Sequence, residues 1–190
     1  MAELFPRWCS TAIPLIAIAG VCLAGLVVVG LIGYVRTPYV TEKFVVVEQP
    51  VMFDHRHHVR DDGIDCEYCH ATARFSPTAG MPSARLCMGC HAQIWNNSPL
   101  LIEVRRAYFF DQPIRWQRVH DLPDFVFFNH SVHVENGVAC SACHGSVENM
   151  ALAAQVSPLT MGWCLDCHRQ SIEAAVPRPT RLTTCSACHR

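Results

Sequence analysis

One five-residue pattern recurs five times in this 190-residue chain. It reads Cys66-Glu67-Tyr68-Cys69-His70, Cys87-Met88-Gly89-Cys90-His91, Cys140-Ser141-Ala142-Cys143-His144, Cys164-Leu165-Asp166-Cys167-His168 and Cys185-Ser186-Ala187-Cys188-His189. Ten of the twelve cysteines lie in these pairs. In Cys-x-x-Cys-His the two thiols can form thioethers to the vinyl groups of one haem, and the next imidazole becomes the iron's proximal ligand. Zinc or a redox disulfide would also use Cys-x-x-Cys, but neither has a use for histidine at that fixed position. With 11 histidines in 190 residues, five such placements by chance have a probability below about one in a million. The motifs therefore specify five covalently bound haem c groups, with His70, His91, His144, His168 and His189 proximal.

That load constrains the rest of the chain. Five haems in the region after the N-terminal apolar segment leave too little polypeptide for a conventional core, so haem faces must supply much of it. The expected fold is mainly α and irregular, with short helices at the motifs, loops between them and little or no sheet. The formal charge of −1 omits the haem propionates. Fourteen of the fifteen basic residues are arginine, whose forked guanidinium suits carboxylates, so some are expected on propionates. No basic tract or nucleic-acid motif occurs.

No charged residue lies between Arg7 and Arg36. Ile13 to Val35 would span about 35 Å as a helix, against a hydrocarbon core of about 30 Å. Pro14 falls near its expected start, and Trp8, Tyr34 and Tyr39 fall where interfacial aromatics belong. The run is long for a signal peptide and no convincing Ala-x-Ala site follows it, so an uncleaved single-pass anchor is favoured. Cys22 reads as apolar packing, with lipid attachment a weak alternative. Basic residues on the two sides do not decide orientation. Haem attachment does, because it takes place outside the bacterial cytoplasmic membrane. The N-terminus is expected in the cytoplasm and residues 36–190 on the periplasmic or outer face.

The expected organisation is an anchor at 1–36, an extended linker at 37–50, a two-haem module at 51–97, a helical connector at 98–123 and a three-haem module at 124–190. Ser98-Pro99 is an N-cap followed by proline at N1, and a helix through Phe110 should follow. An internal repeat marks the two modules. Phe53-Asp54-His55-Arg56-His57-His58 precedes the first motif and Phe128-Asn129-His130-Ser131-Val132-His133 the third, sharing Phe-x-His-x-x-His. Histidines three apart project to one side of a helical turn, so one turn can ligate two irons. His57 breaks the spacing and reads as a bystander. His120 is either a distal ligand or a propionate partner. Met161, Met150 and Met81 are further distal candidates or core filling.

The paired histidines resemble those of small multihaem class III cytochromes, where such a pair serves two different haems. The resemblance implies that His130 ligates the Cys140 haem and His133 the Cys164 haem. His55 and His58 would serve the Cys66 and Cys87 haems. The third distal position falls on Met161, which would ligate the Cys185 haem where the pattern has histidine. A His/Met haem among His/His haems would have a raised potential.

Residues 45–190 also resemble the membrane-anchored pentahaem cytochrome subunit of alternative complex III, on Asp121-Leu122-Pro123-Asp124-Phe125-Val126-Phe127-Phe128-Asn129-His130-Ser131, on Ser157-Pro158-Leu159-Thr160-Met161-Gly162-Trp163-Cys164, and on Trp116 and Val119-His120. This resemblance implies a quinol-oxidising membrane complex. Its partners would be an iron–sulfur, molybdopterin-enzyme-like subunit and quinol-binding integral membrane subunits. A monohaem cytochrome or another soluble carrier would accept the electrons. Two other classes compete: a small membrane-anchored quinol dehydrogenase feeding a periplasmic reductase, and a multihaem reductase. Five motifs argue against the four-haem dehydrogenase type. The surplus of distal candidates argues against a reductase, which needs an open iron. Saturated irons transfer electrons and catalyse no bond chemistry.

Overall fold

The computed structural model describes residues 6–175 and 182–189, with the side chains of 171–175 excepted. Part of the expected three-haem module, residues 176–181, lies outside them. The chain separates into two compact units, Met1–Glu42 and Lys43–Arg190.

The first unit contains helix α1, Cys9–Tyr34, whose 26 residues make it about 39 Å long. It is apolar on every face and long enough to cross a bilayer. It begins four residues earlier than the apolar run suggested, because Trp8 accepts from Ala12 N at 2.9 Å and Ser10 Oγ donates to Arg7 O at 2.7 Å. Pro14 therefore lies inside the helix rather than near its first turn. A short turn, α2 (Pro38–Thr41), starts with proline at N1.

The expected extended linker is thus broken by that turn and by left-handed residues at Glu42 and Phe44. Val46, within that stretch, pairs with Ala154 in a single antiparallel bridge, the only β pairing among the described residues. The second unit is otherwise short helices joined by irregular chain, as the haem load predicts. A π-helical turn (Arg56–Asp61) is followed by α3 (Cys66–Cys69), α4 (Ala84–His91), α5 (Ile102–Phe109), α6 (His130–Glu135), α7 (Cys140–His144), α8 (Met161–Ala175) and α9 (Cys185–Cys188).

The expected helix after Ser98 is present. Ser98 Oγ accepts from Leu100 N, a 3₁₀ turn covers Pro99–Leu101, and α5 runs on from it. The apolar core is small: Val51, Ala84, Met88, Leu101, Val104 and Ala107. Met88 stands between the two cysteines of the second motif, and Cys87 packs beside it against this core. Large apolar groups remain exposed in this unit, among them Phe75 at 81% and Phe109 at 73%. That amount of apolar surface suits a fold that uses macrocycle faces as core.

Candidate haem centres

Each Cys-x-x-Cys pair lies on one helical turn, in α3, α4, α7, α8 and α9; the motif histidine is helical in α4, α7 and α8, while His70 and His189 stand just past the ends of α3 and α9. Spacing of three residues brings both sulfurs to the same side. Asp65 caps α3 by accepting from Glu67 N at 2.8 Å.

The two Phe-x-His-x-x-His segments build nearly the same object from different helix types. Phe53 stacks on His58 (4.3 Å between centroids, 26°) and meets His55 edge-on (4.8 Å, 82°). Phe128 stacks on His133 (4.5 Å, 25°) and meets His130 edge-on (4.8 Å, 90°). Asp54 and Asn129 play matching parts. Each side chain accepts from the backbone N–H two residues on, at 2.9 and 3.0 Å. Each carbonyl accepts from the second histidine's Nδ1, at 3.0 and 2.8 Å. The phenylalanine therefore orients both imidazoles, a role not assigned from the sequence although the repeat displays it.

The fold then brings these histidines to the motif histidines. His130 faces His144 with centroids 6.3 Å apart and planes 11° apart. His133 faces His168 at 6.1 Å and 23°, and His58 faces His91 at 6.1 Å and 64°. An iron–nitrogen bond of about 2.0 Å and a nitrogen-to-centroid distance of about 1.1 Å would put two trans imidazoles about 6.2 Å apart. The three observed separations match. His55 lies near His70: burial and then His70 lower its pKa, and its Nδ1 is buried without a hydrogen-bond partner.

Ring tautomers agree with iron binding. Nδ1 faces a main-chain carbonyl in His70 (Gly80 O, 2.8 Å), His91 (Ile94 O, 3.2 Å), His130 (Pro77 O, 2.8 Å), His168 (Leu182 O, 2.8 Å) and His189 (Phe125 O, 3.1 Å). His58 and His133 do the same with Asp54 and Asn129. A carbonyl can only accept, so each Nδ1 carries the proton and each Nε2 keeps its lone pair for a metal. His144 differs: its Nδ1 lies 3.1 Å from Nε2 of His120. Burial, then His120, His130 and His70 push the His144 pKa down to about 4, which keeps it neutral as a ligand requires.

The remaining expected residues are less closely grouped. Met161 opens α8 and is 67% exposed. His57 stacks on Trp95 (5.9 Å, 18°) and lies 3.7 Å from Asp62, as suits a bystander. Arg56, Arg60, Arg74, Arg106, Arg118 and Arg169 pair with Asp54, Asp61, Glu67, Glu103, Asp121 and Asp166. These exposed pairs contribute little to stability individually.

Some thiols are influenced by cysteines of other motifs. Burial and then Cys69 raise the Cys87 thiol, while burial and then Cys140 raise the Cys66 thiol. Burial and then Cys167 raise Cys143, and burial and then Cys188 raise Cys164.

Thioether-capable sulfurs, imidazoles with Nε2 exposed to a metal, and facing ring pairs fit haem, and together they define a multihaem c-type cytochrome that transfers electrons. Residues 126–190 match the family described as cytochrome c7 and related cytochrome c. Over 164 residues the chain is 27% identical to a protein named menaquinone reductase, multiheme cytochrome c subunit, from Nitratidesulfovibrio vulgaris. The match covers 75% of this chain and 77% of that relative. The c7-type match falls on the stretch expected to hold three haems.

Proposed function

We propose that this chain holds five haems and is the membrane-anchored cytochrome subunit of a quinone-linked respiratory complex, of the alternative complex III kind. Cys66/Cys69, Cys87/Cys90, Cys140/Cys143, Cys164/Cys167 and Cys185/Cys188 would bind them. The axial pairs would be His55/His70, His58/His91, His130/His144, His133/His168 and Met161/His189. Haem supplies one-electron redox chemistry at its iron. The protein residues hold the ligand planes and fix the tautomers. The observation that carries this reading is the trio of ring pairs at 6.1–6.3 Å, each joining histidines far apart in sequence or in separate helices.

The anchor would cross the cytoplasmic membrane once, with the cytochrome unit on the periplasmic side. Partners would be quinol-binding integral subunits, an iron–sulfur/molybdopterin-like subunit and a soluble acceptor such as a monohaem cytochrome. A small quinol dehydrogenase feeding a periplasmic reductase is the alternative. A further reading reverses the flow, since the relative's name is menaquinone reductase.

Haem content per chain, followed by low-temperature EPR, tests the site. Five haems, all low-spin, support it. A stoichiometric high-spin signal refutes the saturated set. Adding quinol to the purified complex tests direction: reduction of the haems supports quinol oxidation. Quinone reduction by a reduced soluble donor, without that response, supports the reverse.

A further inference from the structure

Among the nine histidines proposed as axial ligands, seven present Nδ1 to a main-chain carbonyl and His55 Nδ1 has no partner. Only His144 places Nδ1 against another side chain, Nε2 of His120, at 3.1 Å. The rings meet edge to face, 4.3 Å between centroids at 73°, and both are half-buried. His120 stands on the irregular stretch between α5 and α6, 24 residues before His144.

We infer that His120 is a positioning residue for the Cys140 site, its Nε2 accepting the hydrogen bond from Nδ1–H of the proximal His144. The inference rests on the proposed ligation of iron by His144. A metal-bound Nε2 carries no proton, so the other ring nitrogen must carry it and must donate. His120 Nε2 is then the acceptor, and His120 keeps its own proton on Nδ1. The same Nε2 cannot also bind an iron, which removes His120 from the set of distal ligands in this arrangement.

The consequence is electronic. An imidazole nitrogen is a stronger proton acceptor than a peptide carbonyl. It draws the Nδ1 proton further from His144, increases that ring's imidazolate character and favours the ferric state. The Cys140 site would therefore have a lower potential than its ligand set alone would give.

The test compares the full-length protein with its His120→Phe and His120→Gln variants in a spectroelectrochemical titration, with EPR on the same samples. Phenylalanine keeps a ring edge against His144 without an acceptor, whereas glutamine places a carbonyl oxygen near the position of Nε2. The His120→Phe protein should keep five low-spin haems, four at unchanged potentials and one raised. The expected shift is about tenfold in the reduction equilibrium, or about 59 mV for one electron. The His120→Gln protein should return that haem close to its original potential. Unchanged potentials in His120→Phe would reduce His120 to packing and overturn the inference. A high-spin signal would make His120 an axial ligand and overturn it equally. If phenylalanine blocks assembly, His120→Ala takes its place with the same expectations. Failure of the underlying haem reading is distinguishable, because it appears as missing haem in the unsubstituted protein.

Discussion

Gly145 follows His144 of the third motif directly, and replacing it with alanine separates two physical effects. Its backbone sits at φ 70° and ψ −164°, a conformation accessible essentially only to glycine. Forcing a side chain into it costs about 1–3 kcal/mol. A Cβ there would also stand 2.7 Å from Val156 Cγ2 and 3.4 Å from Cγ1. Val156 cannot easily yield, since its neighbours Gln155 and Ser157 are buried. Ser157 Oγ donates to Cys143 O at 2.7 Å, and Gln155 O accepts from Phe44 N at 2.7 Å. Overpacking of this kind adds about 1–3 kcal/mol. We expect Gly145→Ala to destabilise the second unit by about 3 kcal/mol. Val156→Ala in the same chain should recover roughly half of that, because it removes the clash and leaves the backbone strain. Guanidinium unfolding of the detergent-solubilised full chain, followed by Soret circular dichroism, measures both. A Gly145→Ala protein within about 0.5 kcal/mol of the parent, the range of an ordinary surface change, would refute the argument.

Two further outcomes follow from the same geometry. The His130/His144 and His133/His168 planes are close to parallel, at 11° and 23°, whereas His58/His91 are 64° apart. Parallel rings lift the degeneracy of the two iron orbitals they overlap, and crossed rings do so less. EPR should therefore show at least two ordinary rhombic low-spin signals and one with a larger maximum g, which His58→Met should abolish; its persistence in that variant would count against the pairing. The Asp54 carboxyl is held at about 2, chiefly by its hydrogen bond from Arg56 and against the effect of burial. A depressed folded pKa contributes stability above the unfolded value of about 4, and that stability is lost as pH falls through about 2. Unfolding midpoints between those limits should fall more steeply in the parent than in Asp54→Asn, and identical slopes would show that the pair does not couple to folding.

The sequence displayed the parts of the site that are local. The Cys-x-x-Cys pair of each motif forms one helical turn, and Phe-x-His-x-x-His carries its own stacking ring and its own carbonyl acceptor. The helix after Ser98-Pro99 was equally legible, being defined by a cap and a proline. Other features left no such mark. The acceptors for His130, His168 and His189 are main-chain carbonyls of Pro77, Leu182 and Phe125, 53, 14 and 64 residues away. A carbonyl belongs to every residue type, so no pattern announces it. His120 was visible as a candidate, but its contact with His144 depends on how an irregular loop folds. The early start of α1 is likewise a matter of capping at Trp8 and Arg7, which hydropathy does not register. One signal could have been read further: the aspartate/asparagine after each phenylalanine marks the residue whose side chain caps the turn and whose carbonyl orients the second ring.

A direct link between the two repeats lies at that turn. His130 N and His130 Nδ1 both address Pro77 O, at 3.1 and 2.8 Å, and Ser131 N donates to Ser76 O at 3.2 Å. Ser76 and Pro77 follow the first motif, whereas α6 carries the distal candidates for the third and fourth. The helix expected to complete those sites is therefore fastened to the polypeptide that holds the first. Residues 98–123 separate the repeats in sequence, yet these hydrogen bonds hold the His130 turn against the chain after the first motif. A long connector would leave two repeats free to move apart, and electron transfer weakens steeply with distance. Main-chain hydrogen bonds from His130 and Ser131 to Pro77 and Ser76 restrict that freedom, tying the turn that carries the third motif's distal candidate to the chain after the first motif.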